Sequence, residues 1–223
     1  MNAIPVLALA ILGAHSCQRA PSLEQTVRSR LDAVQARTSL YARHLPSGRE
    51  IAIRADEPKN TLSVIKIPIM MLAHRDAEAG RLNLDQRYVI RPEDLRRGSG
   101  LLQTFAPGLA PTYRDLISQM IITSDNTATD LLIRRLGLDR VNQMLADLGY
   151  RETRLKTTTG ELFRKVWERA DPGFAALSDR QVFERGFPTD SGAAARSFSF
   201  QGDSTQWLGR SSAREIARLL EQI

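Results

Sequence analysis

An early switch from alternating to helical hydrophobic patterning constrains the fold of this chain most strongly. Apolar and polar residues alternate in 39–45 and again in 50–56, which is typical of β-strands. The intervening Pro-Ser-Gly-Arg at 46–49 is a turn sequence, so the two segments are predicted to pair as a hairpin. From residue 61 to about 79 the pattern is helical, and Gly80 ends it. A hairpin followed by an apolar helix indicates an α+β domain.

The rest of the chain is predicted to be mainly helical, with one long segment of unclear pattern. Residues 82–90 are predicted to be extended, and 96–111, rich in Gly and Pro, to be a loop. Residues 151–209 lack clear periodicity, which predicts an irregular functional loop or an insertion. No repeat or linker is found. Helical spacing is found in 23–37, 112–122 (capped by Thr112), 126–136 (ending at Gly137), 138–148 (ending at Gly149) and a final helix capped by Ser211 or Ser212.

The composition is that of a soluble globular protein, with 42% hydrophobic and 25% charged residues among 223. The formal net charge of +6 raises the question of nucleic-acid binding. The basic residues are scattered, however, without a block of five or more or interleaved aromatic residues. We therefore expect a generally basic surface and no nucleic-acid partner.

Histidine and cysteine are scarce, which narrows the possible chemistry. The single cysteine, Cys17, excludes an intramolecular disulfide and a cysteine-rich zinc site, so we expect no metal and no cofactor. Because His15 lies near the N-terminus, only His44 and His74 remain as bases for a Ser-His-Asp triad. For both, a surface or packing role is favoured.

The first residues are typical of an export signal. Residues 3–14 form an uncharged apolar run that is too short to span a bilayer, and small residues follow it. We therefore predict a signal peptide over 1–16 and a periplasmic or secreted protein, attached to a membrane only if Cys17 carries a lipid. Since no positive charge precedes the run, a buried helix or a misplaced start codon stays an alternative.

The strongest chemical signal is Ser63-Val-Ile-Lys66 at the start of the apolar helix. The i, i+3 spacing places hydroxyl and amine on one helix face, near the N-terminus where the helix dipole favours negative charge. Lys66 has apolar neighbours, and desolvation lowers the pKa of an amine toward that of a general base. The alternative for this motif alone is a serine cap followed by a surface lysine.

A second motif, Ser124-Asp125-Asn126, stands between two predicted helices. From a loop, Ser124 can pass a proton to a leaving nitrogen, while Asn126 can donate to a substrate carbonyl and accept from Lys66. The alternative is that Ser124 or Asp125 only caps the next helix. Because it follows S-x-x-K by 58 residues, S-D-N is a much more specific signal of a catalytic site here than it would be alone.

Several stretches together resemble class A β-lactamases and related penicillin-recognising serine hydrolases. These are SVIKIP (63–68), ITSDNTATDLLI (122–133) and GLDRVNQMLADLGYRETRL (137–155), and GSGLLQTFAPGLAPTYRDL (98–116) is similar to the segment before S-D-N in one branch of that group. The resemblance covers 23–223. It implies a β-lactamase/transpeptidase-like α+β catalytic domain with a helical subdomain and an antiparallel sheet.

The resemblance also implies roles for four residues. Ser63 would attack the β-lactam carbonyl and become acylated, with its backbone N–H as half of an oxyanion hole. Lys66 would take the Ser63 proton directly or through water. Ser124 would protonate the lactam nitrogen, and Asn126 would hold the substrate amide.

Two departures from the family pattern are expected to matter. Alignment places Thr159 where the family has its deacylating glutamate, with Glu161 as a weaker substitute, so hydrolysis of the acyl-enzyme is expected to be slow. The K-T-G motif is absent, since Lys156 to Gly160 resembles it only superficially and precedes the final helix. We therefore expect a C-terminally truncated domain that lacks the last strands and helix, or else a decayed enzyme, and favour truncation.

The resulting hypothesis is a secreted, monomeric serine hydrolase that opens the β-lactam amide through an acyl-enzyme on Ser63. The enzymatic alternative is a penicillin-binding D,D-peptidase or esterase with a peptidoglycan-like substrate. The remaining alternative is an inactive truncated scaffold.

Overall fold

The computed structural model describes residues 20–106, 108–190 and 192–223, and the chain divides into two compact units between Thr38 and Ser39. The predicted signal peptide at 1–16 and Cys17 lie outside the described residues. The first unit contains helix α1 (Leu23–Asp32), which begins with a capping box between Ser22 and Gln25 and buries no side chain. The helix is thus shorter than the predicted 23–37. No helix among the described residues is long and apolar enough to cross a membrane.

The second unit opens with the predicted hairpin. Strands β1 (Leu40–His44) and β2 (Arg49–Ile53) are antiparallel, with Leu40 opposite Ile53 and His44 opposite Arg49. Gly48, in the connecting turn, has a positive φ of 67°, which glycine adopts without steric cost. The hairpin prediction is confirmed.

A separate three-stranded sheet forms beside the start of the next helix. It consists of β3 (Lys59–Asn60), β4 (Arg154–Leu155) and β5 (Gly209–Ser211), all antiparallel, with β5 in the middle. A Cβ on Gly209 would lie 2.7 Å from both Ile65 Cγ1 and Thr61 Oγ1. Glycine here lets β5 run directly against the turn that precedes the helix, which fixes where that helix starts.

Four helices build the main core. Helix α2 (Lys66–Glu78) follows a 3-10 turn at Leu62–Ile65 and packs against α3 (Tyr113–Ile122), α4 (Asn126–Leu136) and α5 (Leu138–Asp147). Their shared interior is apolar and nearly inaccessible to solvent, as burial of such side chains requires. It includes Ile65, Ile69, Ala73, Leu116, Met120, Leu132, Leu136 and Leu145.

The predicted helix boundaries are largely confirmed, and local capping explains them. Thr112 Oγ1 accepts from Asp115 N at 3.1 Å while Asp115 Oδ2 accepts from Thr112 N at 2.9 Å, a capping box at the start of α3. Ser212 caps the last helix, α9 (Ala213–Leu220), by accepting from Glu215 N at 3.2 Å.

The expectation of irregular structure at 151–209 is wrong. Residues 151–209 hold three helices, α6 (Thr159–Ala170), α7 (Asp179–Arg185) and α8 (Ala193–Gly202). Residues 82–90 form no regular strand, but Arg87 makes an antiparallel bridge to Thr112, and Tyr88 N donates to the Pro111 carbonyl.

The twelve-residue α6 has a helical start signal in the capping box of Thr158 and Glu161, whereas α7 has only seven residues, and the two pack on a core of their own. Buried Val166, Trp167, Phe174 and Val182 form this second cluster. The Trp167 and Phe174 rings meet edge to face with centroids 5.9 Å apart, a favourable arrangement for aromatic pairs. Residues 151–209 therefore form a packed helical layer rather than the irregular loop that the sequence predicted.

A buried carboxylate attaches α9 to the chain that follows α5. Glu215 is 8% exposed. Its oxygens accept from the backbone N–H groups of Arg151, Glu152 and Thr153 at 2.7–3.1 Å and from the Thr153 hydroxyl at 2.6 Å. Burial raises the pKa of Glu215, but these hydrogen bonds outweigh it and lower the pKa overall.

Glu215→Ala is expected to reduce the free energy of unfolding by about 3 kcal/mol, because it leaves three inward-facing N–H groups without an acceptor. The lowered pKa means that the stabilisation is complete above the ordinary value of 4.5 and is lost as the pH falls below it. Urea titrations at pH 7 and pH 4 test both statements. Glu184→Ala, which removes an exposed ion pair on α7, is the control and should cost about 0.5 kcal/mol or less. Equal losses for the two variants would contradict the assignment.

Candidate active site

Ser63 and Lys66 lie on either side of the point where the 3-10 turn becomes α2. Leu62, just before Ser63, has a positive φ of 44°, and its N–H donates to Asn60 Oδ1 at 3.1 Å. Ser63 is exposed, whereas Lys66 is 1% exposed. The turn therefore presents a hydroxyl to solvent and places an ammonium in the interior directly behind it.

Ser124 and Asn126 come from the junction between α3 and α4. Ser124 has a positive φ of 55°, an uncommon conformation for a residue with a side chain and one found at functional sites. Asp125 caps α4, since its Oδ1 accepts from Ala128 N at 2.9 Å. The capping alternative thus holds for Asp125, whereas the Ser124 side chain points elsewhere.

The four predicted side chains meet in one hydrogen-bonded cluster. Lys66 Nζ donates to Ser124 O at 2.6 Å, to Ser124 Oγ at 3.0 Å and to Asn126 Oδ1 at 3.0 Å. Ser124 Oγ donates to Ser63 Oγ at 2.9 Å. Ser124 therefore lies between the exposed hydroxyl of Ser63 and the buried nitrogen of Lys66.

The environment of Lys66 changes its acidity. Burial lowers the pKa of the Lys66 ammonium to about 8, although the charges of Asp125 and Asp130 act in the opposite direction. Within the described ranges, the three hydrogen-bond acceptors of Lys66 are neutral oxygens. A substantial neutral fraction at mildly alkaline pH suits a proton acceptor.

Both ends of the Asn126 carboxamide are engaged. Oδ1 accepts from Lys66, and one N–H donates to the carbonyl of Arg97 at 3.0 Å. A carboxamide has two N–H groups, and within the described ranges the acceptor of Asn126 Nδ2 is the Arg97 carbonyl alone.

A glycine-rich loop packs directly on the S-D-N segment. Gly98 and Gly100 have φ values of +99° and +112°. A Cβ on Gly98 would lie 2.7 Å from Asn126 Nδ2, and one on Gly100 would overlap the carboxylate and Cα of Asp125. Leu102 N completes the contact by donating to Asp125 Oδ2 at 2.8 Å. The sequence marks this loop by its glycines and by the resemblance of 98–116 to the segment before S-D-N, but does not indicate which side chains the loop contacts.

Thr159, which stands where the family has its deacylating glutamate, and Glu161, the weaker substitute, are both held in structural contacts. Thr159 is 1% exposed, and its hydroxyl donates to Asp130 Oδ1 at 2.7 Å. Glu161 belongs to the capping box of α6 and accepts from Thr157 Oγ1 at 2.5 Å. The hydrogen bond from Thr157 lowers the pKa of Glu161. The Glu161 carboxylate is therefore committed to the helix terminus.

Other groups weighed from the sequence take no part in the hydrogen bonds of this cluster. His44 Nδ1 is 2.7 Å from Ser47 Oγ in the hairpin turn, and His74 is exposed on α2. Lys156 Nζ donates to Ser204 O at 2.8 Å. Among the described residues, no three His, Cys, Asp or Glu side chains are grouped so as to hold a metal ion.

Comparison with known proteins identifies the family and the fold of the chain. The profile of the beta-lactamase enzyme family (Beta-lactamase2) matches residues 22–223. A beta-lactamase of Streptomyces lavendulae is 30% identical over 172 residues, which is 73% of this chain and 54% of that protein. A solved beta-lactamase from Sphaerobacter thermophilus is 34% identical with a TM-score of 0.58, over 60% of this chain and 51% of the other. The solved structure of PBP-A is similar in fold, with a TM-score of 0.59 and 24% identity, and the match covers 70% of this chain and 64% of PBP-A.

The chain belongs to the beta-lactamase enzyme family, as the match over residues 22–223 shows. The β-lactamase/transpeptidase-like fold predicted from the sequence is confirmed by the solved structures. The chain spans about half the length of the curated relatives that it matches.

Gly100→Ala is expected to destabilise the protein by about 2 kcal/mol more than Gly108→Ala, because overlap with Asp125 adds to the cost of a positive φ. Gly108 is the matched control, since its φ is +99° and a Cβ there would meet nothing within 4 Å. Chemical denaturation of both variants measures the difference. Equal destabilisation would show that the loop tolerates a side chain against Asp125.

Proposed function

We propose that this protein is a serine hydrolase that opens the amide of a β-lactam ring through an acyl-enzyme on Ser63. The observation that carries the proposal is the continuous contact from Ser63 Oγ through Ser124 Oγ to Lys66 Nζ, with steps of 2.9 and 3.0 Å. Membership of the beta-lactamase enzyme family supports the substrate class.

Proton transfer would follow this contact. With Lys66 neutral, its nitrogen accepts from the Ser124 hydroxyl, and Ser124 Oγ in turn accepts from the Ser63 hydroxyl. As Ser63 Oγ bonds to the lactam carbonyl carbon, its proton passes to Ser124 and the Ser124 proton passes to Lys66. A serine hydroxyl needs such a base to be an effective nucleophile.

Breakage of the ring would use the same groups in reverse. The carbon–nitrogen bond of the tetrahedral intermediate breaks, Ser124 gives a proton to the lactam nitrogen, and Lys66 returns one to Ser124. The second N–H of Asn126 would hold the substrate amide. The Ser63 backbone N–H would donate to the oxyanion, and loss of one such donor costs about 3–4 kcal/mol in comparable enzymes.

A second candidate is a penicillin-binding D,D-peptidase or esterase, for which the acyl-enzyme persists with a β-lactam. It is favoured by the buried Thr159 hydroxyl on Asp130 and by the engagement of Glu161 in the α6 cap. Neither group is free to activate water. The two functions are distinguished by removing excess lactam and following the acyl-enzyme by mass spectrometry. The adduct disappears within seconds for a β-lactamase and persists for minutes for a D,D-peptidase or esterase.

The proposal extends to the setting of the reaction. We propose a location outside the cytoplasm, because the apolar run at 3–14 is typical of exported proteins. We further propose that the protein is a monomer whose partners are β-lactam or peptidoglycan-like molecules.

A fluorescent penicillin is expected to label the protein once, on the peptide that contains Ser63, as located by mass spectrometry. Ser63→Ala should abolish the label, whereas Ser47→Ala, in the hairpin turn, should leave it unchanged. Absence of label on the natural chain, or an adduct that survives Ser63→Ala, would refute the proposal.

The acylation rate is expected to rise with pH and to level off above about 8, the pKa to which burial lowers the Lys66 ammonium. The sign follows because only the neutral amine accepts a proton, so each pH unit below the midpoint reduces the rate about tenfold. Stopped-flow acylation between pH 5 and 10 measures the midpoint. Lys66→Met should remove both the rise of the acylation rate with pH and most of the rate itself. A midpoint near 10 would contradict the assignment of Lys66 as the proton acceptor.

A further inference from the structure

We propose that Arg97 is a positioning residue, which connects helix α7 to the orientation of the Asn126 carboxamide and thereby to Lys66. The catalytic part of this inference rests on the proposed function, whereas its structural part does not. Helix α7 belongs to the region for which the sequence predicted no regular structure.

One end of Arg97 controls which way the carboxamide faces. The Arg97 carbonyl can only accept a hydrogen bond and receives Asn126 Nδ2 at 3.0 Å. The Lys66 ammonium can only donate and points at Asn126 Oδ1, 3.0 Å away. These two neighbours demand opposite ends of the carboxamide, so together they allow one orientation.

The other end of Arg97 is attached to α7. Its Nε donates to the carbonyl of Phe183 at 2.7 Å, and the guanidinium carbon lies 4.6 Å from the centroid of the Phe183 ring. Phe183 is in the last turn of α7, where backbone carbonyls lack partners within the helix and favour a cation. Arginine satisfies the carbonyl and the ring together because its guanidinium is planar and has several donors.

The anchor matters because the local backbone is otherwise soft. The Arg97 carbonyl belongs to the peptide unit that joins it to Gly98, whose φ is +99°, and glycine imposes little preference of its own. On the near side Arg96 N donates to Thr127 Oγ1 at 2.9 Å, and on the far side Gln103 Nε2 donates to the Gly98 carbonyl at 2.5 Å. Loss of the Arg97 anchor therefore loosens one peptide group between two supported ones.

A loosened Arg97 carbonyl has two consequences at the site. Asn126 can rotate, so the ammonium of Lys66 loses a stabilising acceptor and its pKa falls further. Two charged groups act on Lys66, namely Asp125, which caps α4, and Asp130 within α4. Both stay in place. The second consequence is weaker retention of the substrate amide, which raises KM more than it lowers kcat.

The experiment compares Arg97→Ala, Phe183→Leu and two matched controls. Phe183→Leu keeps the backbone acceptor and removes the ring, Phe183→Tyr keeps both, and Arg180→Ala removes an exposed cation of α7 that pairs with Glu184. Thermal melts establish that each variant is folded. The first readout is the Lys66 pKa, followed through the Cε chemical shift in protein carrying ¹³C-labelled lysine, because the chain has only Lys59, Lys66, Lys156 and Lys165. The second is the rate of acylation by the fluorescent penicillin.

Arg97→Ala is expected to lower the Lys66 pKa and, at pH 10 where Lys66 is neutral in both proteins, to reduce the second-order acylation rate about tenfold, as for loss of one hydrogen bond and one cation–π contact. Phe183→Leu should give a smaller change in the same direction, and both controls should match the natural chain. An unchanged Lys66 titration in folded Arg97→Ala overturns the inference. Absence of Ser63 labelling in the natural chain overturns the proposed function alone, since the lysine titration needs no substrate.

Discussion

The buried ammonium of Lys66 is the interaction on which the rest of the site depends. A charge removed from water is costly unless hydrogen-bond acceptors surround it, and here the S-D-N segment supplies three oxygens within 3.0 Å. These contacts therefore hold the start of α2 against the α3–α4 junction and keep Lys66 out of water, and it is this burial that lowers its pKa. Stability and reactivity share one set of atoms, so a packing change that exposes Lys66 would alter both.

Around this centre, a second ring of buried polar groups holds the S-D-N segment in place. Asp125 connects the N-terminus of α4 to the glycine-rich loop through Ala128 N and Leu102 N. Asp130, one helical turn along α4, accepts from Thr159 N at 2.8 Å and from Arg96 Nε at 2.9 Å. These carboxylates are buried, and donors on several elements satisfy them. The loop, α4 and the start of α6 thus form one support behind Ser124 and Asn126.

Much of the fold was predictable because its signals are local. Alternation gives the hairpin, and the capping residues Thr112 and Ser212 mark the helix starts where the structure has them. In the mispredicted segment at 151–209, α7 has only seven residues, too short for a periodic signal to emerge, whereas the capping box of Thr158 and Glu161 does signal the start of the twelve-residue α6. Its order comes from contacts such as Trp167 against Phe174, which no local pattern records.

By itself, the sequence determined which functional groups are available and their local spacing: Ser63 and Lys66 three residues apart at a helix start, and a hydroxyl and a carboxamide in S-D-N. Only the tertiary structure decided that Ser124 lies between Ser63 and Lys66 and that Arg97 orients Asn126. The physical reason is that hydrogen bonding, burial and the resulting pKa depend on distances between residues about 30–60 positions apart along the chain. Those distances exist only after the helices have packed.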